Sequence, residues 1–194
     1  MVITNKNMKN AKAYWKKIVA YHNKCSANKK KMSLSMNNGH YSYNNKELKK
    51  YEKYFLNLNN KEYSELERLS LNEKNEQKRF YGMLGLHYFK DKKKVFKTLR
   101  KVIYYDNVWD MNNAGYFILP ISYKVTIPDY IIKRLLYSNH RAPISKGLYI
   151  IYYNKDNFKR IISKRKYYKR LIELSKHKNL LIKEYSKKIL KKFD

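Results

Sequence analysis

Only 15 acidic side chains stand against 45 lysines and arginines in this 194-residue chain, a formal charge of +30. That imbalance constrains the fold more than any motif does. A compact body with so much charge of one sign repels itself, so it must spread its cations over outward faces and meet a polyanion. Nucleic acid matches best, because each phosphate neutralised by a basic side chain releases condensed counterions whatever the base sequence. The chain still has material for a core, since 43% of its residues are apolar and 15% aromatic. That composition argues against disorder of the chain as a whole. Its 21 tyrosines join a large ring to a hydroxyl that wants a partner, which suits half-wet surfaces and RNA contacts.

Lysine, asparagine, tyrosine and isoleucine are over-used together, while arginine, alanine, glycine and proline are scarce. These are the marks of an A/T-rich genome, of which an organellar genome is one obvious source. Codon bias can choose lysine over arginine, but it does not remove acids. Cys25 is the single cysteine, which excludes an internal disulfide and a cysteine-based zinc site. No apolar run approaches the ~18 residues of a membrane span, and no membrane partner is expected. The stretch Met8–Lys24 has the basic amphipathic pattern of a transit peptide but contains no arginine. Synthesis inside the compartment is therefore expected: the mitochondrial matrix, with a plastid or apicoplast as the alternative.

Charge is uneven along the chain. Residues 1–45 carry nine lysines and no acid, 46–79 sum to +2, 80–132 to +4, and 133–194 to +15. Met8, Ala11, Trp15, Ile18, Val19 and His22 recur at helical spacing. The stretch from Ser26 to Asn45, with Lys29, Lys30, Lys31 and Asn37-Asn38-Gly39, reads as an irregular basic arm. Leu48, Tyr51, Phe55 and Leu58 mark a second helix. Tyr63, Leu66 and Leu69 mark a third, with Asn59 as N-cap and Glu62 completing a capping box. A fourth helix is predicted over Glu76–Phe89, and a fifth on Val95, Phe96, Leu99, Val102 and Ile103. The period then changes to two: Phe117, Leu119, Ile121, Tyr123, Val125 and Ile127 alternate with mostly polar residues, which predicts strands, with Pro120 at an edge or bulge. Gly147–Tyr153 is a further predicted strand. Phe158, Ile161, Tyr168, Leu171, Leu181, Tyr185 and Ile189 predict terminal helices. The order is helices, a small sheet, then helices, an α+β class.

Two stretches carry a family resemblance. One is Glu47-Leu48-Lys49-Lys50-Tyr51-Glu52-Lys53-Tyr54-Phe55 with Leu58 and Lys61-Glu62-Tyr63. The other is Gly115 followed by Ser122-Tyr123-Lys124-Val125, then Asp129 and Ile131. In these the chain resembles the small-subunit ribosomal protein four family. The resemblance implies a helical lobe over 46–77 and a small αα-β RNA-binding module over 78–132. Basic, mainly helical extensions would flank them at 1–45 and 133–194. It further implies a structural constituent of an organellar small ribosomal subunit that binds small-subunit rRNA near the mRNA entry side, beside neighbouring ribosomal proteins. Such a subunit needs no cofactor and is not a homo-oligomer. The alternative is an rRNA-binding mitoribosomal subunit of another or a lineage-specific family.

Phosphate contacts are expected at Lys49, Lys50, Lys53, Lys78 and Arg79. In the 78–132 module they are expected at Lys92, Lys93, Lys94, Arg100, Lys101 and Lys124, with Gly115 in a strand turn. In the tail they are expected at Arg160, Lys164, Arg165, Lys166, Lys169 and Arg170, where Tyr167 and Tyr168 interleave and could stack on bases. Catalytic chemistry finds little support. Gly147-Leu148-Tyr149 resembles the first half of the GIY-YIG nuclease motif, but Lys159-Arg160-Ile161 stands where the second half belongs. Asp106 and Asp110 share a helical spacing that could hold a metal, but solvated or capping carboxylates are far commoner. The five histidines are scattered. No enzyme, metal or cofactor is expected.

Overall fold

Apolar positions spaced three to four apart dominate the chain, and a mostly helical fold follows from them. The computed structural model describes residues 6–30, 33–105 and 107–192. It divides into two compact units, residues 1–102 and 103–194, so the boundary falls inside the 78–132 stretch expected to be one module.

Unit 1 begins with α1 (Lys6–Ala27), then β1 (Leu34–Asn37) and β2 (His40–Tyr43). Four helices follow: α2 (Lys46–Leu56), α3 (Asn60–Asn72), α4 (Glu76–His87) and α5 (Lys92–Val102). The first helix is part of the unit's core rather than an extension: it packs on α4, α2 and α3. It buries Ala11, Tyr14 and Ile18, while Val19 and His22 of the expected stripe face outward. Trp15 lies edge-on to Phe80, 4.8 Å between ring centres.

The expected irregular arm holds a hairpin, with β1 and β2 paired antiparallel and Asn37 opposite His40. Its two-residue loop places Asn38 at φ 47° and Gly39 at φ 81°. Positive φ at both loop positions matches the right-handed twist of the strands, and Asn-Gly is the pair that adopts it most readily. The capping box forms as expected: Asn59 Oδ1 accepts from Glu62 N at 3.0 Å, and Glu62 Oε2 accepts from Asn59 N at 2.9 Å.

Helices α3 and α4 cross at Gly82, where an added Cβ would lie 2.6 Å from Ser70 Oγ and 2.8 Å from Ser70 N. One of those neighbours is backbone and cannot turn aside. Gly82→Ala is expected to destabilise unit 1 by about 1–3 kcal/mol, read as a lower urea midpoint at unchanged m-value.

Unit 2 contains α6 (Val108–Ile121), α7 (Asp129–Leu136), α8 (Arg141–Tyr153), α9 (Lys155–Ile162), α10 (Arg165–Leu174) and α11 (Leu180–Leu190). Central α8 packs on α6, α7, α9 and α11. The two strand expectations are corrected here, and with them the small sheet of the 78–132 module. Residues 117–121 end α6, and Gly147–Tyr153 lie in α8. Both helices are buried around most of their circumference; α6 covers Met111, Ala114, Gly115 and Phe117–Ile121. A helix apolar on nearly all sides has no amphipathic period to show. Pro120 sits in the last turn of α6, where its missing N–H costs one bond and the helix stops at Ile121.

Gly115 is therefore no strand turn. It has ordinary helical backbone, and an added Cβ would meet Lys146 Cβ at 3.2 Å. Asp129 opens α7 rather than a final strand. Asn107 caps α6 by accepting from Asp110 N at 3.1 Å. Asp106 lies outside the described residues.

Candidate nucleic-acid interface

Helix α5 divides its residues by face. Val95, Phe96, Leu99 and Val102 are buried, and the opposite face carries Lys93, Lys97 and Lys101, all exposed. Spacing of four puts the three ammonium groups in one row, and among the described residues no ion pair engages them. Helix α2 is built alike, with Leu48, Glu52 and Phe55 inward and Lys46, Lys49, Lys50 and Lys53 exposed. Of these, Lys46 and Lys97 were not singled out from the sequence, although each shares helical spacing with cations that were.

Lys92 does not belong to this surface. It is buried, with Nζ donating to the His87 carbonyl at 2.8 Å. It lies on the core side because it is three, four and seven residues from Val95, Phe96 and Leu99. Burial lowers its ammonium to about 7. Gly39 at the hairpin tip packs on its methylenes, an added Cβ there lying 3.1 Å from Lys92 Cγ. Burial, and secondarily the Lys92 charge, lower His40 to about 4.

Two more expected contacts in unit 1 have structural work. Lys94 is half-buried, its Nζ 4.1 Å from the Tyr63 ring centre and 5.8 Å from that of Phe89. Arg79 Nη1 donates to the carbonyls of Glu73 and Lys74, at 2.7 and 2.8 Å, and so fastens the α3–α4 turn. Arg100 is half-buried, and Lys78 is exposed with Glu73 at 3.9 Å.

The tail cluster of unit 2 also divides. Arg160 and Lys164 both pair with the Asp129 carboxylate, and Arg160 also donates to the Ile127 carbonyl. Arg170 Nε donates to the Leu136 carbonyl at 3.1 Å, and its guanidinium meets Glu173 at 2.8 Å. These three side chains fasten α9 and α10 to α7. Arg165, Lys166 and Lys169 remain exposed on α10, as does Lys124 after α6. Tyr167 is buried, its hydroxyl donating to the Asp129 carbonyl at 3.0 Å, whereas Tyr168 is exposed.

Tyrosines take over part of the work that scarce acids would do. Lys146 lies 5.6 Å from the Tyr116 ring centre and 5.8 Å from that of Tyr149. Lys192 Nζ lies 4.0 Å from the Tyr152 ring, and Lys188 Nζ 5.4 Å from that of Tyr185. Each such contact contributes roughly 0.5–1 kcal/mol at an exposed site. No protein-family model matches the chain, and no curated protein matches it. Among the described residues, no group of three or more His, Cys, Asp or Glu side chains is placed to hold a metal ion. No described helix is long and apolar enough to cross a membrane.

Proposed function

We propose that this chain is a non-catalytic RNA-binding subunit of a ribonucleoprotein, with an organellar ribosome and its small-subunit rRNA as the setting. The observation that carries this reading is the lysine row Lys93–Lys97–Lys101 on the outer face of α5. Comparable exposed cations lie on α2 and α10. Lysine, a flexible point charge, suits phosphate contact, and helical rows of it follow a sugar–phosphate backbone without needing to read bases. Duplex RNA favours such recognition, since its major groove is too deep and narrow for side chains. Neighbouring ribosomal proteins would share the surroundings, in the mitochondrial matrix or a plastid.

The test is filter binding of the full chain to structured RNA across a salt series, with Lys93, Lys97 and Lys101 replaced together by glutamine. The slope of log K against log salt is expected to fall by about 2–3. An unchanged slope removes α5 from the interface. A wild-type chain that binds no RNA at low salt overturns the reading altogether.

A further inference from the structure

Helix α7 is short and its two faces could hardly differ more. Ile131, Ile132, Leu135 and Leu136 are buried, while Tyr130, Lys133, Arg134 and, at its C-cap, Tyr137 look the other way. That outer face, with Tyr104 and the start of α6, lines an open groove of about 690 Å3 that runs to Ser138, Asn139 and His140. A second cavity of about 480 Å3 continues from Asn139 and His140 to Arg141, His177, Lys178 and Asn179. Among the described residues, no aspartate or glutamate lines either one.

The rings in the groove are open to solvent: Tyr104 is 51% exposed, Tyr130 42% and Tyr137 45%. Tyr104 and Tyr130 stand 5.9 Å apart and are tilted by 43°. Arg134 reaches to 5.9 Å from the Tyr104 ring centre and Arg170 to 5.1 Å from that of Tyr137. Tyr130 and Tyr137 are seven residues apart, about 10 Å along the helix, too far to share one base. Half-exposed flat rings with cations among them offer stacking faces and positive charge in one place, and the bases and phosphates of a single strand answer both features together.

We propose that this groove binds unpaired RNA, with bases stacking on Tyr104, Tyr130 and Tyr137. Lys133, Arg134, Arg141 and Lys178 would then line the phosphates. The proposal rests on the RNA-binding reading above and sharpens it: α5 holds backbone of any form, and the groove selects single strands.

Fluorescence anisotropy of the full chain would use three labelled probes at one salt concentration. They are an unstructured RNA 12-mer, an RNA duplex, and an abasic ribose–phosphate oligomer of equal length. Tyr104→Ala with Tyr130→Ala is expected to weaken the unstructured RNA about 10- to 100-fold, and the duplex and abasic probes less than about twofold. Phenylalanine at both positions should retain binding. Tyr104→Leu with Tyr130→Leu keeps apolar bulk without a flat ring and should lose it, which guards against a folding defect in the alanine pair. Equal losses on all three probes, or none on any, overturn the groove proposal while α5 binding stands; the latter result would leave the rings to a protein partner. A wild-type chain that binds none of the probes overturns both readings.

Discussion

Glu52→Ala is expected to lower the stability of unit 1 by about 3–4 kcal/mol, from charge-assisted hydrogen bonds lost and donors left unsatisfied. Glu52 is 5% exposed in a chain whose 45 basic side chains outnumber its 15 acidic ones. Its Oε1 accepts from the backbone N of Tyr43 at 2.9 Å, and its Oε2 from Ser42 Oγ at 2.8 Å. The Tyr14 hydroxyl stands 3.4 Å from Oε1 and 2.7 Å from the Tyr88 hydroxyl. One carboxylate thus seats the hairpin on α2 and steadies a buried tyrosine pair. Removing it leaves the buried Tyr43 N–H without its acceptor and takes one partner each from the Ser42 and Tyr14 hydroxyls, the latter keeping Tyr88. For a unit of about 100 residues the loss corresponds to roughly 15–25 °C in Tm. Glu52→Gln keeps an acceptor for Tyr43 N and should lose markedly less. Equal melting of wild type and Glu52→Ala would remove the carboxylate from this role.

Unit 1 is also expected to gain stability as pH rises, in two windows. His40 titrates near 4 when folded against an ordinary value of 6.5, so the unfolded chain binds more protons between those values. Stability is lost as pH falls through that window. Lys92 titrates near 7 when folded against 10.5 when unfolded, which has the same sign. Stability climbs from about pH 7 towards 10.5 by at most about 1.4 kcal/mol per pH unit. Tyr14 and Tyr88, raised chiefly by burial, act oppositely above pH 10, because only the unfolded chain ionises there. A maximum near pH 10 follows. Urea midpoints at pH 5, 7 and 9 should increase in that order, and Lys92→Met should flatten the rise between 7 and 9. A midpoint that falls from 7 to 9 in the wild type would contradict the burial of Lys92.

These residues also show where the sequence could be read and where it could not. α5 and the Asn59–Glu62 capping box were legible because both lie at a water boundary, where polar and apolar residues must sort by position. α6 and α8 were not. With neighbours on most sides their periodicity vanishes, and the chance alternation from Phe117 to Ile127 imitates a strand. Asn38-Gly39 carried a strong hairpin signal that its lysine- and serine-rich flanks concealed. Composition could say that some lysines face solvent, but not that Lys92 turns inward while Lys93 does not. The helical stripe through Val95 and Leu99 settles that. Nor could spacing show that Arg160, Lys164 and Arg170 find partners on α7, since those contacts join residues more than thirty positions apart.

Asp129 has a consequence beyond its place in the fold. As the shared counterion of Arg160 and Lys164, it withholds two cations from whatever polyanion approaches unit 2. Neutralising it would loosen the seat of α9 and α10 and, in the same stroke, release both for outside use. In this half of the molecule, weaker folding and greater stickiness would rise together, so a damaged copy would cling to anions more indiscriminately than an intact one.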